Sequence, residues 1–93
     1  MRPNLVKLAL KEGKVQYGTN FGQIRSQEVL KMLAAAGFNW AFIDTEHGGF
    51  DQETIQDLCR IAAYVNFAPI VRVADLQYAL IARALDCGAA GVI

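Results

Sequence analysis

Between Phe38 and Ile43 the sequence runs Phe-Asn-Trp-Ala-Phe-Ile and then turns at once into Asp44-Thr45-Glu46-His47-Gly48-Gly49. An apolar run this short, bounded by Gly37 and a polar turn, has the length of a strand and the composition of one covered on both faces. Strands of that kind lie in parallel sheets, and parallel neighbours require long crossovers, usually helical. The rest of the chain supplies them.

Asn4 is placed to cap a helix over Leu5 to Lys11, with Leu5, Leu8 and Ala9 on one side and Gly13 as its stop. Val15 to Phe21 reads as a strand ending at Gly22. Ser26 then caps a helix whose Val29, Leu30, Leu33 and Ala34 repeat at helical spacing up to Gly37. After the Phe38–Asp44 strand, Asp51 caps a helix with Ile55, Leu58, Cys59, Ala62 and Val65 on one stripe, and Pro69 to Val73 form the next strand. Asp75 caps a last helix with Leu80, Ile81, Ala84 and Leu85 inward, Gly88 closes it, and Gly91-Val92-Ile93 begin another strand. The order is a leading helix, then β-α-β-α-β-α-β, an α/β pattern of right-handed crossovers. A barrel and an open doubly wound sheet both satisfy it. Ile93 falls inside an apolar strand with no cap or covering helix after it, so the sequence reads as one incomplete domain over residues 1–93.

Composition narrows the function. A chain of 93 residues with 54% hydrophobic and 19% charged residues is apolar for its surface-to-volume ratio, and some of that surface is expected to meet something outside the chain. Nine Lys and Arg balance nine Asp and Glu, leaving no basic stripe for nucleic acid. No run of about eighteen apolar residues suggests a membrane span and no signal core follows Met1, so a cytoplasmic protein is expected. Cys59 and Cys87 sit in amphipathic helical patterns, without zinc or redox spacing, and read as reduced core residues.

Ligands of parallel α/β folds gather at the carboxyl ends of the strands. Alternation puts Phe42, Asp44 and Glu46 on one face there, with His47, the one histidine, following in the glycine loop. An aspartate three residues before a histidine can bond one ring nitrogen and leave the other to move a proton. The plainer reading makes Asp44 and Glu46 turn residues and His47 a solvated loop residue. Arg72 interrupts Pro-Ile-Val-Arg-Val near the end of the neighbouring strand, where a charge needs an anion: either the carboxylate of a 2-oxo acid or an internal partner, Asp44 or Glu46. Asp86 reads as structural, and Trp40 and the phenylalanines as core. Gly18 and Gly22 form no dinucleotide or phosphate motif. A regulatory domain phosphorylated at Asp44 is disfavoured, because Val15 to Phe21 offers no carboxylate for its metal.

Three segments, Gly37-Phe38-Asn39-Trp40-Ala41-Phe42-Ile43-Asp44-Thr45-Glu46-His47-Gly48, Val71-Arg72-Val73, and Ala84-Leu85-Asp86-Cys87-Gly88-Ala89-Ala90-Gly91-Val92-Ile93, together resemble the HpcH/HpaI aldolase/citrate lyase family of class II, metal-dependent pyruvate aldolases. The resemblance implies the N-terminal part of a (β/α)8 TIM barrel that this chain does not close. It implies a homo-oligomeric lyase that cleaves 4-hydroxy-2-oxo acids to pyruvate and an aldehyde through a metal-bound pyruvate enolate. It makes His47, oriented by Asp44, the acid/base residue, Arg72 the pyruvate-binding residue, and Glu46 a neighbour of the metal's water shell. The Mg²⁺ or Mn²⁺ ligands would come from outside these residues, and no residue here is assigned to them. Asn39 departs from the aspartate usual in the family. The 93 residues alone are expected to be inactive. The rival reading is a catalytically silent half-barrel or assembly module.

Overall fold

The computed structural model describes residues 3–93. Among them, helix α1 (Leu5–Lys11) precedes strand β1 (Gly18–Phe21), helix α2 (Glu28–Ala35), strand β2 (Trp40–Asp44), helix α3 (Gln52–Tyr64), strand β3 (Ala68–Arg72), helix α4 (Tyr78–Asp86) and strand β4 (Gly91–Val92). The expected alternation is present. The strands form one parallel sheet in the order β1-β2-β3-β4. Each strand pairs with the next in sequence, with no reversal of order. That succession, with the helices packed on one face, is the winding of a barrel and not of a doubly wound sheet.

Strand alternation sorts the side chains. Ala41, Ile43 and Val71 point toward the helices and are buried against Leu30, Ile55, Leu58, Cys59, Ala62 and Ala84. These helical residues recur at the spacing read from sequence, and Val29, Leu33, Ala34 and Val65 pack around them. On the opposite face Trp40, Phe42, Ile70 and Arg72 are only half-buried. In a closed barrel this face is the interior. Trp40 lies across β1, where a Cβ on Gly18 would meet its ring at 2.0 Å, so a glycine is needed for the indole to pack.

Helix ends follow capping chemistry with two exceptions. Asn4 accepts from Lys7 N at 3.0 Å and Asp51 from Thr54 N at 2.8 Å. Ser26 Oγ accepts from Glu28 N at 3.3 Å. The expected stops Gly13, Gly37 and Gly88 all have positive φ. The stop of α3 is Asn66, at φ 54, a position where asparagine is the best-tolerated non-glycine residue. The first exception is Asp75, which does not cap α4. Its carboxylate accepts from Leu76 N at 2.7 Å and Gln77 Nε2 at 2.9 Å, closing a local turn, and the helix starts at Tyr78. Leu85 accordingly lies outward, 48% exposed.

The second exception is the chain's beginning. Val15 to Tyr17 are not strand, and Val15 and Tyr17 are exposed; Tyr17 is held by Asn39 just ahead of β2, its carbonyl accepting from Asn39 N at 2.7 Å and its N–H donating to Asn39 Oδ1 at 2.9 Å in place of a ladder carbonyl. On α1 the packed residues are Val6 and Ala9, not the expected Leu5 and Leu8. The helix sits at the amino end of the sheet, tied by Asn4 Nδ2 donating to Ala90 O at 2.9 Å. That tether, not the apolar stripe, sets its rotation. Asn4→Ala removes both the cap and the tether, and a loss of about 1–2 kcal/mol is expected in urea titration.

Both cysteines are free thiols. Cys59 is buried, which pushes its thiol from 9.0 up to about 12. Cys87 is half-buried, its Sγ accepting from Gln52 Nε2 at 2.9 Å. At pH 8 one equivalent of a thiol-alkylating reagent is expected to modify Cys87 in the native chain, with Cys59 labelled only in denaturant, as peptide mass mapping will tell. The native pKa of Cys59 lies above its unfolded value, so its contribution to stability is complete below about pH 9 and is lost as pH rises toward 12.

Candidate active site

The register of β2 on β3 builds the site. Asp44 and Arg72 are Cα partners at the carboxyl ends of their strands, so both side chains rise from the same face. Arg72 Nε donates to Asp44 Oδ1 at 3.1 Å and Nη2 donates to Oδ2, a bidentate pair. The guanidinium also lies 4.9 Å from the centre of the Phe42 ring. Thr45 locks the same junction from the main chain, its N–H donating to Arg72 O at 3.1 Å and its hydroxyl to the same oxygen.

Asp44 is 6% exposed, and its carboxylate has a full set of donors. Oδ1 also accepts from Glu46 N at 2.9 Å and His47 N at 3.0 Å. The Arg72 guanidinium, then the His47 and Glu46 main-chain donors, hold this carboxyl far below the usual carboxylate range. Arg72 is pushed upward in turn, mainly by its bond to Asp44. Of the two anions considered for Arg72, the internal one is therefore present. These pairings use Nε and Nη2, and Nη1 takes part in none of them.

The expected orientation of the His47 ring by Asp44 is corrected. Asp44 Oδ1 binds the His47 main-chain N–H together with the Glu46 N–H and Arg72 Nε, and Oδ2 binds Arg72 Nη2. The ring turns instead to Glu46, with Nε2 3.0 Å from Oε1. Glu46 Oε1 also stands 3.6 Å from Arg72 Nε. A carboxylate only accepts, so the ring nitrogen facing it carries the hydrogen and Nδ1 is left as the acceptor. The His47 side chain is 71% exposed, open to a ligand above the strand ends.

Sequence reading missed the support beneath this loop. Arg25, in the β1–α2 connection, donates from Nη2 to Gly49 O at 3.0 Å, and Gly49 N donates to Gly22 O at 3.3 Å. Phe50 stacks on Phe21 with ring centroids 5.4 Å apart. The two aromatics, one ending β1 and one just before the cap of α3, were legible as core; the arginine was not, since its partner is a carbonyl. Asp86, read as structural, lies exposed at the end of α4.

Among the described residues, no three His, Cys, Asp or Glu side chains converge as a metal-binding set. Asp44 is consumed by Arg72, and Glu46 is shared between His47 and Arg72. Both carboxylates are thus already engaged by side chains of the site. Also among the described residues, no helix is long and apolar enough to cross a membrane.

No family model matches the chain. A hydroxypyruvate/pyruvate aldolase of Paraburkholderia phytofirmans is 41% identical over 87 residues, covering 92% of this chain and 32% of that protein. A 4-hydroxy-2-oxo-heptane-1,7-dioate aldolase of Shigella boydii is 38% identical over 86 residues, covering 91% and 32%. Among solved structures, the HpcH/HpaI aldolase from Desulfitobacterium hafniense DCB-2 superposes with a TM-score of 0.91 at 28% identity, over 94% of this chain and 34% of that one. The chain spans about a third of the length of these relatives. In sequence and in fold, it corresponds to the N-terminal third of the HpcH/HpaI aldolase family, a partial (β/α) barrel.

Proposed function

We propose that these residues supply the substrate-anchoring and proton-handling half of an active site that cleaves 4-hydroxy-2-oxo acids reversibly to pyruvate and an aldehyde. The observation that carries this reading is the Arg72 guanidinium fixed by Asp44 at the carboxyl end of β3, with the His47 loop held by the same carboxylate. The relatives' names point the same way, two of them being aldolases of pyruvate and of a 4-hydroxy-2-oxo acid.

Arg72 takes the substrate carboxylate, and its weakest contact, the one to Glu46 at 3.6 Å, is the one displaced. His47 Nδ1 accepts the proton of the 4-hydroxyl as the C3–C4 bond breaks. The electron pair moves onto the 2-oxo group to give the pyruvate enolate, and the aldehyde leaves. The enolate carbon is then protonated to pyruvate with the proton that His47 took from the 4-hydroxyl, which returns the imidazole to its neutral form. Glu46 keeps the ring in one tautomer and steadies the imidazolium while it carries the proton. Asp44 holds Arg72 and the loop main chain and exchanges no proton, its carboxyl being ionised throughout. Mg²⁺ or Mn²⁺ is the cofactor of this proposal, making the enzyme class II, with direct ligands outside these 93 residues. A cytoplasmic homo-oligomer completes the proposal.

The test replaces the matching segment of the Paraburkholderia aldolase with this chain and follows pyruvate release. A folded chimera should release pyruvate with Mn²⁺, lose activity in chelator, and regain it on adding the ion back. A folded chimera that releases none would favour the second reading, a silent half-barrel or assembly module, for which the half-buried Trp40, Phe42 and Ile70 face speaks.

A further inference from the structure

The loop that carries His47 is fastened at its far end as well as its near one. Asp44 Oδ1 takes the Glu46 and His47 main-chain donors at the start of the loop. Two residues beyond His47, Gly49 has both of its main-chain groups tied to the β1–α2 connection, its N–H by Gly22 O at 3.3 Å and its carbonyl by Arg25 Nη2 at 3.0 Å. Gly48 between them has no room for a side chain: a Cβ there would stand 2.0 Å from Asp44 O and 2.9 Å from Gly22 O. His47 therefore rides on a short span whose two ends are both fixed.

The contribution of Arg25 is separable from that of the core. Phe21 and Phe50 pack the loop base and Asp51 caps α3 without it, so the elements keep their places in its absence. Arg25 is exposed, and holding an exposed arginine in one conformation costs side-chain entropy. What that cost secures is the carbonyl of Gly49, an acceptor no other described side chain engages.

We propose that Arg25 is a positioning residue for His47, fixing the far end of its loop so that the imidazole stays beside Glu46 and above Arg72. Its catalytic consequence rests on the aldolase reading; the clamp does not. A misplaced general base loses rate steeply with small displacements, while substrate capture by Arg72 is untouched.

Two measurements test it. In the 93-residue chain, Arg25→Ala should raise amide hydrogen exchange at His47 and Gly49 by about tenfold and shift the His47 ring resonances, with exchange at Ala41 and Ile43 and the urea midpoint unchanged. Arg25→Lys, which keeps one donor, should restore much of the protection. In the chimera, Arg25→Ala should lower kcat about tenfold with KM unchanged. Unchanged exchange at Gly49 would overturn the clamp, and a loosened loop with unaltered kcat would overturn the positioning role. A chimera that releases no pyruvate even with Arg25 intact would strike the aldolase reading, leaving the exchange result to decide the clamp.

Discussion

Arg72→Ala in the chimera should lower kcat/KM for pyruvate release by about two to three orders of magnitude, the usual effect of deleting a charge-assisted anchor for a developing anion. Arg72→Lys should recover little, because an ammonium cannot reproduce the fork that spans Asp44 while leaving Nη1 for a substrate. Asp44→Asn separates two roles. The amide still accepts from the Glu46 and His47 main chain but no longer neutralises the guanidinium. If Asp44 acts through Arg72, the variant should raise KM for the oxo acid more than it lowers kcat. His47→Ala should do the reverse, lowering kcat by about 10²–10⁴ with KM little changed. Equal activity in Arg72→Ala and the parent would sink the assignment.

The same pair sets an acid limit. Asp44 has a native pKa held below its unfolded value, so the stability it contributes is fully present above about pH 4 and is lost as pH falls through the native value. Between about pH 5 and 9 the pair is ionised on both sides and its geometry should not change. Asp44→Asn should flatten the acid limb of a stability–pH curve and leave the neutral region without a slope of its own.

How far the sequence reaches can be judged residue by residue. Asp44 and Arg72 were legible because a charge at the end of an apolar parallel strand needs a partner, and the register of adjacent strands allows few candidates. The core stripe of α3 was legible from its period. The His47 ring partner was not, since two glycines leave the path of the loop open and the winner, Glu46, depends on Asp44 taking the main-chain donors of the loop and not the ring. Asp75 failed as a cap because its side chain found nearer donors at Leu76 and Gln77. Val15 to Tyr17 carry strand-like residues, yet the Tyr17 N–H goes to the Asn39 side chain and not to a ladder carbonyl, and the strand starts only at Gly18. The rotation of α1 was hidden for a similar reason, being fixed by a bond from Asn4 to Ala90, 86 residues away.

Leu58→Ala should cost about 2–5 kcal/mol, against a total stability of roughly 5–15 kcal/mol for an ordinary domain of this size. Leu58 is fully buried at the centre of the helix-facing side, where neighbours from β2, β3 and α2 cannot all collapse into the void. Urea titration of the 93-residue chain should find the unfolding midpoint of the variant sharply lowered. Trp40→Ala supplies the contrast. Its ring lies over Gly18 on the other face and is only partly buried, so its loss in the isolated chain leaves a gap open to solvent and not an enclosed cavity, and should cost less. In the chimera, where that face meets the remaining strands of the barrel, the same substitution should cost at least as much as Leu58→Ala. The ranking of the two variants thus reports what covers the inner face. If Trp40→Ala were as costly as Leu58→Ala in the isolated chain, that face would already be covered in solution, and concentration dependence of the unfolding midpoint would identify a second copy as the cover.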